Sequence, residues 1–255
     1  MQLGLPAAGL SDYKSKSQRA RVATEAWAGK NLYCANCDSP RLQTSPANTP
    51  AFDYSCPKCD SLFQLKAQSH YFATRILDAA YSAMLRAIEE NRVPNLIALH
   101  YQPLEWKVEN LILIPRIAFT KAVLEKRKPL SPGARRAGWV GCNILLTNIP
   151  QDARIPLVRS GVPANPVRVR QQYAKLQPLA EMDVERRGWT LDVLNVLRLL
   201  GKPEFSLADV YASEKDLSRL HPDNRHVRDK IRQQLQVLRD LGFLDFLGAG
   251  KYRLR

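Results

Sequence analysis

The amino-acid sequence predicts an α/β domain over residues 1–182, followed by a smaller domain of helices and a hairpin over residues 183–255. Three observations carry this. The short apolar runs "NLIALHY", "ENLILIP" and "GWVGCNILL", each close to breakers, mark buried strands among helical stretches. Two C-x-x-C pairs, Cys34/Cys37 and Cys56/Cys59, lie inside the first part. After residue 183 the pattern changes to three helical stretches and two alternating segments joined by Gly-Ala-Gly.

Taken in order, "SQRARVATEAWAGKN" (17–31) starts at a Ser cap and forms a first helix. "TRILDAAYSAMLRAIEEN" places Ile76, Leu77, Ala80, Tyr81, Met84, Leu85 and Ile88 on one stripe, which predicts a helix throughout. The apolar strands follow, and "RVRQQYAKLQPLAEMDVERRG" reads as a last helix and then a polar connector. Strands, helices and more strands make one α/β domain. Beyond it, "TLDVLNVLRLLG" is an amphipathic helix from Thr190 to a stop at Gly201, and "FSLADVYASEKDL" is a second, capped by Ser206. A third, "HPDNRHVRDKIRQQLQVLRDLG", opens near Asp223 and Asn224 and ends at Gly242. "FLDFLGAGKYRLR" is then a hairpin. Three helices and a hairpin is the winged-helix order.

A chain of 255 residues with 45% hydrophobic and 24% charged residues buries a core and reads as soluble and globular. No apolar run approaches the ~20 residues of a membrane helix. The opening residues lack the apolar stretch of a signal peptide, so none is expected. Five cysteines, four of them in C-x-x-C pairs, point to a reducing cytoplasm and a metal rather than to disulfides. A net charge of +14 points to a polyanionic partner, nucleic acid before an anionic membrane. Residues 183–255 hold 14 Lys and Arg against 11 Asp and Glu, so most of the surplus lies in residues 1–182.

On the third C-terminal helix, Val227, Ile231, Leu235, Leu238 and Leu241 share one face, which should pack inward. Arg225, Arg228, Arg232, Gln236 and Arg239 share the opposite side. Such a stripe suits a major groove, because Arg forks onto guanine and Gln onto adenine. The cationic hairpin residues Lys251, Arg253 and Arg255 reinforce it, whereas an ordinary solvated face diluted by Asp229 and Asp240 is the plainer reading.

The cysteine pairs are separated by 18 residues, and each can present two thiolates from a tight turn. Two such turns close a tetrahedral Cys₄ zinc site, and closed sites of this kind are structural. Cys142, in "WVGCNILL", is expected as a buried core thiol. Gln64 and Lys66 are two apart in "LFQLK" and would point to one face of a strand, with Asp53 of "AFDYS" on a neighbouring strand. An acid, a second ligand and a Lys at this spacing are what metal-dependent phosphodiester hydrolysis needs. Such patterns arise by chance, so spacing alone leaves open an exposed Lys and a loop Asp. In "EKRKPLSPGARRAGWVG", Lys126, Arg127, Lys128, Arg135 and Arg136 suit a phosphate backbone. Trp139, at the end of that loop, is either a base contact or an interior residue at the start of a strand.

These residues resemble the DpnI-type restriction endonucleases, which cut GATC only when its adenine is methylated. The resemblance runs nearly end to end and is densest in "RKPLSPGARRAGWVGCNI", "RGWTLDVLN" and "KIRQQLQVLRD". It implies a PD-(D/E)xK nuclease domain with a mixed central sheet and an inserted zinc site, then a winged helix, with both domains reading methylated double-stranded DNA. It implies zinc on Cys34, Cys37, Cys56 and Cys59, Mg²⁺ (or Mn²⁺) on Asp53 and position 64, a catalytic Lys66, and a methyl-sensing aromatic at Trp139. A monomer in a bacterial cytoplasm is expected.

Gln64 departs from the family's Glu. Its carbonyl still ligates Mg²⁺ but brings no negative charge. Three outcomes follow: a weaker metal hold, a carboxylate supplied by Glu25 or Asp78, or binding retained without cleavage. The first is the expectation. A methyl-GATC binding protein with a dead nuclease site and a zinc-bearing protein-binding scaffold are the rivals.

Overall fold

The structure is a computed structural model that describes residues 1–6, 10–46, 49 and 51–255. In chain order its elements are α1 (Lys16–Asn31), β1 (Gln43–Thr44), β2 (Tyr54–Ser55), β3 (Leu62–Gln68), β4 (Arg75–Ala80), α2 (Tyr81–Glu89), β5 (Asn95–Gln102) and β6 (Lys107–Ile114). Next come β7 (Leu124–Lys126), β8 (Gly141–Leu145), β9 (Ile155–Arg159), β10 (Val162–Pro163), α3 (Pro166–Leu176) and α4 (Val184–Leu199). The chain ends with β11 (Glu204–Ser206), α5 (Leu207–Tyr211), α6 (Glu214–Leu220), α7 (Val227–Asp240), β12 (Leu244–Gly248) and β13 (Lys251–Leu254). By packing the chain forms two units. The first holds Met1–Thr74, Arg92–Phe119 and Asp152–Gln177; the second holds Arg75–Asn91, Thr120–Gln151 and Pro178–Arg255.

The first unit is built on a seven-stranded mixed sheet in the order β1-β2-β3-β5-β6-β9-β10. Only β3 and β5 run parallel. β5 lies at the centre, and its residues Asn95–Leu99 are all buried, as the continuous apolar run "LIAL" demands of a strand covered on both faces. Asn95 is 1% exposed and fully used. Its amide donates to Leu62 O at 3.0 Å, and its carbonyl accepts from Arg116 N at 3.0 Å and the Tyr173 hydroxyl at 2.9 Å. A buried polar side chain persists when every group is partnered. α1 packs on β3 and α3 on β9. Trp27 anchors α1, 1% exposed, with its indole N–H on Gln2 O at 2.8 Å.

The second unit carries two three-stranded antiparallel sheets, β4-β8-β7 and β11-β13-β12, with α2 and α4–α7. Val227, Ile231, Leu235 and Leu238 of α7 are buried as their shared face predicts, while Leu241 is half-buried. Thr190 of α4 donates to Gln234 Oε1 of α7 at 2.7 Å in the interior. Gly201 and Gly242, at φ +64° and +77°, stop α4 and α7 in the left-handed region.

Several expected elements are corrected. Residues 75–80 form β4, not the first turns of a helix, because Arg75–Ala80 pair with Gly141–Leu145. Leu77, placed on the buried stripe, is 60% exposed. Residues 184–188 are not a connector: α4 begins at Val184 with the Asp183 carboxylate capping Arg186 N at 2.8 Å. The stretch after Ser206 breaks into α5 and α6, although the Ser206 cap holds and forms a capping box with Asp209. α7 starts at Val227, so Arg225 lies in the turn before it. β1, β7, β9, β10 and β11 were not expected.

Inside the second unit, Trp189 stacks on His221 at 3.7 Å between ring centroids, and His221 Nε2 bonds Asp192 at 2.8 Å. The side chains are 15% and 2% exposed. Burial pushes the Asp192 carboxyl up, and the His221 bond pulls it back. His221→Ala strands a buried carboxylate and opens a space beside the indole. The expected loss is about 3–5 kcal/mol, read as a fall in melting temperature of roughly 6–20 °C in a thermal scan.

Candidate functional site

Four sulfurs converge in the first unit. The Sγ atoms of Cys34, Cys37, Cys56 and Cys59 all lie within 4.8 Å of one another, with Cys34–Cys59 at 3.6 Å and Cys37–Cys56 at 3.5 Å. A zinc tetrahedron with Zn–S near ~2.3 Å has edges of about 3.8 Å, so the set can hold a metal such as zinc. Both turns have the same local cause. Ser39 N–H donates to Cys37 Sγ at 3.5 Å and Lys58 N–H to Cys56 Sγ at 3.4 Å, each reaching back two residues. Burial raises the Cys56 thiol, yet backbone bonds from Lys58 and Cys59 and bonds from the Cys37 and Cys59 thiols bring it down to about 6. Burial holds Cys34 above the ordinary thiol range.

One contributor was not visible in the spacing. Arg170 of α3 donates to Cys34 O at 3.1 Å, Cys37 O at 2.7 Å and Ser39 O at 3.3 Å, and lies 5.3 Å over the Tyr33 ring. It braces the first cysteine turn from more than a hundred residues away in sequence. Cys142 is fully buried in β8, as expected, with its thiol on Ala79 O at 3.4 Å.

The second cysteine turn is also the turn between β2 and β3. Cys56–Ser61 link Tyr54–Ser55 to Leu62–Gln68, with Cys56 N–H on Ser61 O at 2.9 Å. The strands pair antiparallel, Ser55 opposite Leu62 and Tyr54 opposite Phe63, and Asp53 directly precedes β2. Asp53 N–H bonds Phe63 O at 2.9 Å, and its carboxylate accepts from Leu65 N at 2.7 Å. Asp53 is therefore pinned against β3 at backbone and side chain. Gln64 and Lys66 share one face of β3, both half-buried, and Phe63 on the other face is 1% exposed. Asp53, expected on a strand, thus lies in the bend just before β2 and is bonded to β3, the strand that carries Gln64 and Lys66.

Glu25 of α1 comes to the same region. The Tyr54 hydroxyl donates to Glu25 O at 3.0 Å. Burial raises the Glu25 carboxyl, Arg21 lowers it, and the Asp53 charge raises it again. Glu25 also lines a cleft of about 400 Å³ with Arg21, Leu65, Ala67 and Gln68. Asp78 lies in the second unit, buried on β4.

In the second unit the basic loop is a folded extension of the β7–β8 pair, and Lys126 closes β7. Arg127 N–H bonds Gly141 O at 3.0 Å, Leu130 N–H bonds Trp139 O at 2.9 Å, and Gly138 N–H bonds Leu130 O at 3.0 Å. Lys126, Lys128, Arg135 and Arg136 are exposed and Arg127 is half-buried. The Lys126 ammonium sits 5.5 Å over the Tyr81 ring, and the Arg136 guanidinium 4.7 Å over Trp139. Trp139 is half-buried, neither interior nor free.

On α7, Arg228, Arg232, Gln236 and Arg239 are exposed. Arg228 bonds Glu214 at 2.8 Å and lies 5.1 Å over Tyr211. Arg232 bonds the Tyr211 hydroxyl at 2.6 Å and Asp229 at 3.2 Å. Arg239 pairs with Asp240, Arg253 with Glu204 and Arg255 with Asp245, while Lys251 is exposed. To meet a phosphate or a base these arginines exchange surface ion pairs of about 0–1 kcal/mol each, a small barrier. Tyr211 and Glu214, on α5 and α6, escaped a single-helix reading because they meet the arginines only across helices. Among the described residues no helix is long and apolar enough to cross a membrane.

Two family models match the chain. One, described as DpnI, Dam-replacing family, covers residues 1–182, and a second, described as the Dam-replacing HTH domain, covers residues 185–254.

Proposed function

The chain belongs to the DpnI, Dam-replacing family, and on that premise we propose that it is a methylation-dependent type II restriction endonuclease, cutting double-stranded DNA at GATC with N6-methyladenine. The observation that carries the reading is the Asp53 carboxylate pinned beside the Gln64-x-Lys66 strand by a hairpin whose turn is a cysteine knuckle. In this reading residues 1–182 are a PD-(D/E)xK nuclease domain and residues 183–255 a winged helix, as the extents of the two family matches support. The protein works as a monomer in a bacterial cytoplasm.

Cys34, Cys37, Cys56 and Cys59 hold structural zinc, which keeps β2 and β3 in register. Asp53 and Gln64 would hold Mg²⁺ or Mn²⁺. The donor set fits, since one carboxylate and one amide carbonyl are oxygen donors of the kind hard cations take. When bound, that ion supplies Lewis-acid polarisation of the phosphoryl oxygen and acidifies water. The Lys66 ammonium stabilises the incoming hydroxide and the charge growing on phosphorus. Lys126, Arg127, Lys128, Arg135 and Arg136 follow the backbone, as do Arg225, Lys251 and Arg253. Arg228 and Arg232 make base or phosphate contacts. The N6-methyl group projects into the major groove, where the Trp139 indole forms an apolar wall.

Methylated and unmethylated GATC plasmid, incubated with the protein and Mg²⁺ or Mn²⁺, tests this directly. Cutting of the methylated plasmid alone is expected. Intact methylated plasmid under both ions, retained tightly by the protein, would instead identify a methyl-DNA binder. Gln64→Glu restores a second anionic ligand, so at limiting Mg²⁺ cleavage should rise by about tenfold or more. An unchanged rate across a magnesium titration would remove position 64 from the ion's shell.

A further inference from the structure

Gly141 opens β8, is buried, and pairs with Ala80 of β4. Glycine is not required there by its backbone, which lies outside the left-handed region. It is required by a neighbour. A Cβ at this position would stand 2.7 Å from Cη2 and 2.8 Å from Cζ3 of Trp139, and 3.5 Å from Arg127 Nη1. The indole therefore occupies the space where any other residue has its side chain.

The same ring is held from two further directions. The Arg136 guanidinium lies 4.7 Å over it. Backbone bonds fix residue 139 on both sides, Trp139 N–H to Arg136 O at 3.1 Å and Leu130 N–H to Trp139 O at 2.9 Å. Even so, Trp139 is only half-buried, so a part of the ring remains open. An indole on a Pro/Gly-rich loop would otherwise sample several rotamers. This one is fixed before any partner arrives.

We infer that Gly141 and Arg136 set methyl discrimination by locking the Trp139 indole in one orientation, an inference that rests on the reading of Trp139 as the methyl sensor. One methyl group in an apolar pocket separates ligands by only about 10–200-fold. That margin survives only if the wall does not move, because a mobile ring closes on bare adenine and retreats from methyladenine at little cost. Gly141 gives the far edge of the ring its seat, and Arg136 presses on a face. Gly141 acts only through the ring, whereas Arg136 both positions the ring and follows the phosphate backbone, a contact that the ratio of two affinities cancels.

The test is the ratio of affinities for methylated and unmethylated GATC duplexes, read by fluorescence anisotropy with Ca²⁺ in place of Mg²⁺. For Gly141→Ala the ratio should fall about tenfold or more, since the indole must leave its seat, while affinity for the unmethylated duplex changes less than about twofold. For Arg136→Ala the ratio should fall about two- to fivefold, the size of an exposed cation–π contact, with Arg136→Lys in between. A folded Gly141→Ala protein and an Arg136→Ala protein that both keep the full ratio overturn the inference. Arg136 is exposed, so its variants decide the matter even if Gly141→Ala does not fold. Trp139→Ala separates the two levels. If it leaves the ratio intact, the sensor reading itself fails; if it abolishes the ratio while the other variants preserve it, only the locking role fails.

Discussion

Asp53→Ala is expected to slow cutting of methylated GATC plasmid by about a thousandfold or more, with zinc content unchanged. The reasoning is local. Position 64 is an amide, so Asp53 is the one charged group among the three proposed catalytic positions that attracts a cation. Removing it takes away both an oxygen ligand and the negative charge, and Gln64 alone cannot hold Mg²⁺. The substitution also strands Leu65 N–H, which the carboxylate accepts at 2.7 Å. That costs about 1–3 kcal/mol, small enough to leave the sheet folded. Asp53→Asn is the cleaner partner variant, because its carbonyl still accepts from Leu65 while the charge is gone. Single-turnover plasmid cleavage and metal analysis by mass spectrometry read the two quantities separately. Residual cleavage within about tenfold of wild type in Asp53→Asn would exclude Asp53 from the chemistry. Zinc lost from a folded variant would make Asp53 a structural residue.

Cys56→Ser should abolish bound zinc and, with it, cleavage. Four thiolates close the proposed site; three leave it open, and structural zinc sites contribute folding free energy directly. Cys56 has a further consequence because its turn joins β2 to β3. Without the knuckle, Asp53 is left to the short β2–β3 pairing and to its own bonds with Phe63 O and Leu65 N–H. Zinc content should fall from about one per chain to none, and the first thermal transition should move down by more than ten degrees or so. Acid should act in the same direction. Zinc takes deprotonated thiols, so protons compete with it for the four sulfurs and zinc should be released as the pH falls. Zinc release followed with a chelating dye from pH 8 to pH 4 gives the midpoint. A Cys56→Ser protein that keeps zinc and full activity would mean the four cysteines serve no metal.

Much of this site was legible because its signals are local. A C-x-x-C pair makes its own turn, with a backbone N–H reaching back to a sulfur two residues earlier, so Cys34/Cys37 and Cys56/Cys59 announce themselves wherever the chain goes. The Ser206 cap and the Gly201 and Gly242 stops are equally local, and the buried face of α7 follows from its 3.6-residue period. The apolar run of β5 needed only its composition.

What failed depends on partners distant in sequence. Ile76, Leu77, Ala80 and Tyr81 fit a helical stripe, yet residues 75–80 are a strand because β8 offers its edge some sixty residues later. No periodicity over six residues separates those outcomes when one strand residue in three is small. Arg170 at the cysteine turns, Tyr211 between Arg228 and Arg232, and Glu25 beside Asp53 each act across elements, where spacing carries no trace.

By itself, then, the sequence determined the cysteine turns, the caps, the central strand, the family and the inventory of cations. The tertiary structure alone decided which strands pair, which arginines are already engaged, and that Trp139 takes the space left by Gly141. The physical reason is one of range. Turn geometry and helix period are set by forces between residues a few positions apart, whereas strand pairing and side-chain seating are set by surfaces that meet only after the chain has closed.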